Sequence, residues 1–159
     1  SAAGQDCSLS TVAISPKADG AALLLLASPA ACQRWQLQPR AHWLGAVSVG
    51  AAPETPMLAA QCAALQLLQR HGLQAAALQV LELHDAFAAQ ALVFAQALGV
   101  PLAALNRHGG GLARGHPIGA SGAIALVQAL AQLQPGQTGL AAIAGAGGLG
   151  SAVLVRLGL

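Results

Sequence analysis

The sequence predicts an α/β fold, a mostly parallel sheet with helices on both faces. Three observations predict it. Apolar runs of strand length alternate with stretches of helical length along the 159 residues. Capping residues and glycine stops fall between them. Near the C terminus a glycine-rich turn joins the last two apolar runs into a hairpin. A chain of this length makes one domain with a real core.

Residues 1–16 read as irregular. Residues 20–27 form an apolar run of strand length. Ser28 can cap a short helix through about Gln36, with Pro29 in its first turn. Residues 40–51 alternate and carry Trp43, Val47 and Val49, so they read as a strand. Thr55 then caps, Pro56 begins, and residues 57–71 continue an amphipathic helix ended by Gly72. Residues 78–83 are a buried strand. Residues 86–98 are a helix ended by Gly99, with Asp85 placed to cap it. A glycine loop leads to a helix over residues 119–133, and Pro135-Gly136 make a turn. Residues 139–145 and 151–157 close the chain as a hairpin.

Composition narrows the function. Apolar residues make up 55 % and charged residues 8 %, against about 25 % charged in ordinary domains. So little charge cannot cover the surface, and the chain is expected to bury part of it against other protein. Between Gly115 and Arg156 there is no Lys, Arg, Asp or Glu, but Pro135, Gly136 and several later glycines break the stretch. A spanning helix needs ~20 apolar residues without such breaks, so no membrane span is expected. The net charge is +2 without a basic cluster, and aromatics are scarce, which argues against nucleic acid. Cys7, Cys32 and Cys62 are odd in number and lack ligand spacing. They read as reduced thiols of a cytoplasmic protein, with neither a disulfide framework nor a metal site. No signal peptide is visible, and the abrupt start suggests a cut fragment or a split gene product.

The richest segment runs from Asn106 to Gly122, NRHGGGLARGHPIGASG. Its glycines allow turns and close backbone approach. It ends at a helix start, where free N–H groups suit an anion or a developing oxyanion. His116, followed by Pro117, is aimed into that space. In open α/β sheets ligands lie beyond the carboxyl ends of strands. His84 sits at one such end, which supports a site shared with His116.

This segment resembles the histidine loop of the thiolases, N-x-x-G-G-x-x-A-x-G-H-P-x-G-A-S-G. It matches at Asn106, Gly109, Gly110, Ala113, Gly115, His116, Pro117, Gly119, Ala120, Ser121 and Gly122. The run from His84 to Gln90, HDAFAAQ, is similar to the thiolase N-E-A-F-A-A-Q loop and to the H-D-C-F variant of the sterol-carrier type. Residues 139–152 resemble the closing C-x-G-G-G-x-G-x-A hairpin, and Asp19-Gly20-Ala21-Ala22 the D-G-A-A-A strand.

The resemblance implies the C-terminal half of a thiolase, a five-stranded mixed sheet with helices on both faces. Residues 17–159 would be that domain, and 1–16 a seam with an N-terminal half in cis or in trans. It implies acyl-coenzyme A or another acyl thioester as substrate, no covalently bound cofactor, no metal, and a homo-oligomer. His116 would activate a nucleophilic cysteine of the other half and bind the thioester oxygen. His84 would donate to an enolate oxygen. Gly115, Gly145, Ala146 and Gly147 would offer backbone N–H groups.

The family's second cysteine moves the α-proton. Its two known positions are Ala144 and Ala86 here, and neither can hold a proton. The isolated chain is therefore expected to be inactive. Two histidines without that cysteine are similar to the decarboxylating ketoacyl synthases, whose Cys-His-His site needs no proton shuttle. The other possibility is a degenerate accessory subunit.

Overall fold

The computed structural model describes residues 9–158, and Cys7 lies outside them. Strands β1 (Ala41–Gly50), β2 (Val80–Leu83), β3 (Thr138–Gly145) and β4 (Leu149–Leu157) form one sheet in the order β1-β4-β3-β2. β2 and β3 are parallel, while β4 runs antiparallel to both β3 and β1. The sheet is thus mixed, as expected, but has four strands, not five. Residues 20–27 form no strand and make no backbone–backbone hydrogen bond. A strand exists only by pairing, and among the described residues none bonds this backbone. At the opposite margin Leu105 makes a single parallel bridge to Leu81, all that widens the sheet there.

Alternation along the strands sorts the core into two faces. Leu81, Leu83, Leu140, Ala142, Ala152 and Leu154 point to one side, against helices α2 (Ala59–Arg70) and α3 (Ala88–Leu98). Val80, Ala141 and Val155 point to the other, against helix α5 (Ser121–Gln132). α2 buries Ala59, Ala60, Ala63, Ala64, Leu67 and Leu68, the period of one helical stripe. Small residues there let the helix lie close to the sheet. A fully buried Leu or Phe contributes about 1.5–3 kcal/mol, and Phe94, Leu67, Leu81, Leu83, Leu140 and Leu154 are the largest such groups.

Several ends differ in detail from the sequence expectation. Ser28 does cap α1 (Pro29–Trp35), its Oγ accepting from the Ala31 amide at 3.2 Å. Thr55 makes no side-chain cap, and a 3-10 turn over Pro56–Leu58 precedes α2. Asp85 caps nothing. α3 starts only at Ala88, and the Asp85 carboxylate is held elsewhere, as described below. In the closing hairpin Gly147 and Gly148 take positive φ. A side chain on Gly148 would collide with the backbone of Ala51.

Candidate active site

β2 delivers His84 just past its last rung. The His84 amide donates to the Ala142 carbonyl at 2.9 Å, which extends the pairing with β3 by one residue. Asn106 fixes the other edge of β2. Its Oδ1 accepts from the Leu83 amide at 2.8 Å and its Nδ2 donates to the Leu83 carbonyl at 2.9 Å. Asn106 itself has φ +49, a left-handed conformation that asparagine tolerates. Asp85 accepts a short hydrogen bond from the Gly111 amide at the start of α4 (Gly111–Arg114). Burial raises the Asp85 pKa, against the lowering by its backbone and Asn106 hydrogen bonds. Gly110 has no room for a side chain between Asp85 and Asn106.

His116 is held from the other side by the segment before residue 20. Its amide donates to the Pro16 carbonyl at 2.7 Å, and Lys17 bridges it in parallel. Ser15 ties the two loops together. Its amide donates to the Ala86 carbonyl at 2.8 Å and its hydroxyl to the Gly111 carbonyl at 2.5 Å. Gly115 has φ +87, and a Cβ there would stand 2.6 Å from that of Ala18. Sequence reasoning missed this clamp, because nothing in a polar leader marks Ser15 and Pro16 as partners of distant loops.

These supports bring the two histidines together. Their ring centroids lie 4.0 Å apart, tilted by 36°. His116 Nδ1 pairs with Ser121 Oγ at 2.7 Å. Ser121 is the first residue of α5 and only 2 % exposed. Its signal was present in the sequence, a serine at the helix start in the H-P-x-G-A-S-G run. His84 is 6 % exposed, and its Nε2 finds no hydrogen-bond partner among the described residues. Burial, then the neighbouring His116, then Arg114 lower its pKa to about 4. His84 is therefore neutral at pH 7, one N–H donor and one acceptor. A small cavity of about 170 Å³ opens beside it, lined by Asp19, Arg114, Ser121 and Ile124 among others.

The remaining expected positions are placed as follows. Ala144 lies on β3, two residues beyond the Ala142 that bonds His84. Ala86 follows Asp85 in the loop after β2, and its amide donates to Gln90 Oε1 at 3.1 Å. Gly145 ends β3, and Ala146 and Gly147 are exposed in the hairpin turn. Cys32 is half-buried and Cys62 exposed, on α1 and α2. Among the described residues no cluster of His, Cys, Asp and Glu could hold a metal ion. No described helix is long and apolar enough to cross a membrane. Glu82, also missed in the sequence, is 1 % exposed on β2. Its Oε1 accepts from Gln132 Nε2 at 2.7 Å, while burial raises its pKa.

Comparison with known proteins decides the family. Residues 37–157 match the model of the thiolase C-terminal domain. The chain belongs to the thiolase family. It is 40 % identical over 144 residues to a putative acetyl-CoA C-acetyltransferase, YhfS, of Bacillus subtilis, which covers 88 % of this chain and 39 % of that protein. It is 38 % identical to a beta-ketoadipyl-CoA thiolase of Pseudomonas putida, over 87 % of this chain and 36 % of the relative. Among solved structures, the Acat5 thiolase of Ascaris suum in complex with coenzyme A superposes with a TM-score of 0.79 at 34 % identity, over 82 % of this chain and 34 % of that one. A peroxisomal 3-ketoacyl-CoA thiolase of Saccharomyces cerevisiae, described as two core domains of identical topology in five α-β-α-β-α layers, gives 0.75 at 30 % identity, over 79 % and 36 %. This thiolase domain thus spans well under half the length of the relatives it matches.

Proposed function

We propose that this chain supplies the histidine half of a Claisen-type acyl-thioester active site. The nucleophilic cysteine comes from an N-terminal half, in cis or in trans, and the assembly is a homo-oligomer. The observation that carries the reading is the pairing of His84 and His116 at 4.0 Å, with Ser121 on His116 Nδ1. That bond fixes the ring and leaves Nε2 for the substrate side. His116 takes the proton of the cysteine thiol, the thiolate attacks the acyl thioester, and the acyl carbon–sulfur bond of that thioester breaks, leaving an acyl-cysteine and a thiol that takes the proton back from His116. Neutral His84 offers an N–H where negative charge develops on oxygen. Gly115, Gly145, Ala146 and Gly147 are read as backbone contributors around that oxygen. The His84-Asp85 pair is read as kinship to the sterol-carrier-type branch.

Ala86 and Ala144 shape the second step. With no side chain there to remove an α-proton, the enolate arises by decarboxylation. The carbon–carboxylate bond of a malonyl thioester breaks, carbon dioxide leaves, and the electron pair passes to the enolate oxygen between the two histidines. The enolate carbon then attacks the acyl-cysteine, forming a carbon–carbon bond and releasing the thiolate. The same two alanines support a second reading, an accessory subunit without turnover.

The test uses the chain together with an N-terminal half. A malonyl thioester is consumed, and an acetyl thioester does not exchange its α-protons. Losing one oxyanion donor costs ~3 kcal/mol, about a hundredfold in rate, so His84→Ala and His116→Ala each slow consumption by that factor. Ala144→Cys brings back α-proton exchange. Fast exchange in the parent refutes decarboxylation, and indifference to both histidine changes favours the accessory subunit.

A further inference from the structure

We infer that Arg114 is a specificity residue that seats the free carboxylate of a carboxyacyl thioester in the small cavity beside His84. The inference deepens the decarboxylating reading above and rests on it. The cavity of about 170 Å³ is walled by Asp19, His84, Arg114, Gly115, Ser121 and Ile124, among others. Of these, Arg114 alone brings a positive charge. Its side chain is exposed, so a ligand can reach it from solvent. Among the described residues its one hydrogen bond runs from Nη1 to the Gly109 carbonyl. A guanidinium carries five N–H donors in a planar fork, so most of the fork is left for a ligand. Both oxygens of a carboxylate fit such a fork.

The histidine-loop pattern leaves the residue before Gly115 open, and the whole chain has only seven Lys and Arg. A charge is thus spent at a place where the loop does not need one, two residues before His116. Arg114 also lies close enough to His84 to help lower its pKa. The other groups on the wall favour an incoming anion or stand aside. His84 lines the cavity, and its Nε2 has no hydrogen-bond partner among the described residues. The Gly111 amide is taken by Asp85, and the Ser121 hydroxyl pairs with His116. Asp19 is the opposing charge, exposed on the same wall. It repels a dianion more than a monoanion, which favours a carboxylate over a phosphate. The volume equals that of roughly five liquid waters, enough for a carboxylate with its methylene and too little for a long acyl chain. Arg114 holds the substrate in its ground state. Once carbon dioxide leaves, the charge has moved to the enolate oxygen, so the contact selects the substrate without speeding the step.

The test has two arms. In the first, the chain alone is titrated with the N-acetylcysteamine thioesters of malonate and of acetate and followed by NMR at neutral pH, where His84 is uncharged. The malonyl thioester shifts the Gly115 amide and the Arg114 Cζ resonance, and the acetyl thioester does not. Arg114→Leu abolishes these shifts, Arg114→Lys keeps part of them, and Asp19→Asn tightens the binding. Equal shifts with the acetyl thioester, tighter binding of inorganic phosphate, or shifts that survive Arg114→Leu overturn the proposal. The second arm joins the chain in cis to the N-terminal part of the Bacillus relative. There Arg114→Leu raises KM for the malonyl thioester about tenfold, the scale of one charge-assisted contact, and does not lower kcat. A lower kcat at unchanged KM makes Arg114 a structural part of the loop and overturns the proposal. Malonyl consumption through His116 that ignores Arg114 overturns the carboxylate seat and leaves the decarboxylating reading standing. Arg114-dependent binding without consumption supports the seat and overturns that reading.

Discussion

A Cβ on Gly111 would stand 2.6 Å from Cε1 of His84 and 2.8 Å from its Nδ1. The imidazole rests on bare backbone, and the Gly111 amide and carbonyl are both engaged, by Asp85 and by Ser15. The glycine is required for space, not for a special φ.

Gly111→Ala should therefore cost about 1–3 kcal/mol, the usual range for overpacking. It should also push the ring of His84 away from His116. Urea unfolding measures the first effect, and loss of the ring-current shifts between the two imidazoles measures the second. An unchanged midpoint would show that the loop gives way without strain.

His84 predicts acid sensitivity with a definite sign. Its pKa is about 4 when folded and about 6.5 when free. Between those values the unfolded chain binds the proton and the folded chain does not. Stability is therefore lost as pH falls from about 6.5 to about 4, by roughly 3 kcal/mol. Asp85 and Glu82, with raised pKa values, act in the opposite sense at acid pH. The His84→Asn variant separates the terms, because its unfolding free energy should lack the His84 slope while keeping that of the two acids.

Glu82→Gln tests one of those acids directly. Its folded pKa is raised, so the wild type loses stability as pH rises from the free value through the folded one. The variant should gain on the wild type across that rise. Paired urea titrations at pH 4.5 and pH 8 measure the gain, and a constant difference between them would remove Glu82 as a buried acid.

Ser121→Ala should leave His116 Nδ1 without its partner, at a cost of about 1 kcal/mol. In an assembled enzyme it should lower kcat with little change in KM, since it disturbs the orientation of the base and not the grip on substrate. A KM effect alone would move Ser121 from positioning to binding.

The alone chain should show neither thiolysis nor condensation of acetyl-coenzyme A. It carries alanine at positions 86 and 144, and its described cysteines, Cys32 and Cys62, lie on α1 and α2. Turnover above buffer that disappears with His116→Ala would contradict this.

Local signals served well where local chemistry decides structure. Ser28-Pro29, Gly99 and the Gly147-Gly148 turn reveal helix ends and the hairpin, because capping and positive φ are properties of a few neighbouring residues. His84 and His116 were legible through their motifs. Three features were not legible, for one shared reason. The Ser15 clamp and the use of Asp85 on Gly111 depend on partners far away in sequence, and whether residues 20–27 pair depends on a neighbour that the run itself does not encode. A strand-like pattern reports the capacity to pair, and says nothing of which sheet it joins.

Asn106 has a consequence for assembly. β2 lies at one margin of the sheet, and a bare margin beside the chemistry would recruit any passing strand. A single side chain, with the Asn106 amide on the Leu81 carbonyl, uses up the rungs there. The opposite margin of the sheet is β1. A border already bonded offers no template to a second chain, so the residue that aligns His84 also protects this margin from edge-to-edge pairing.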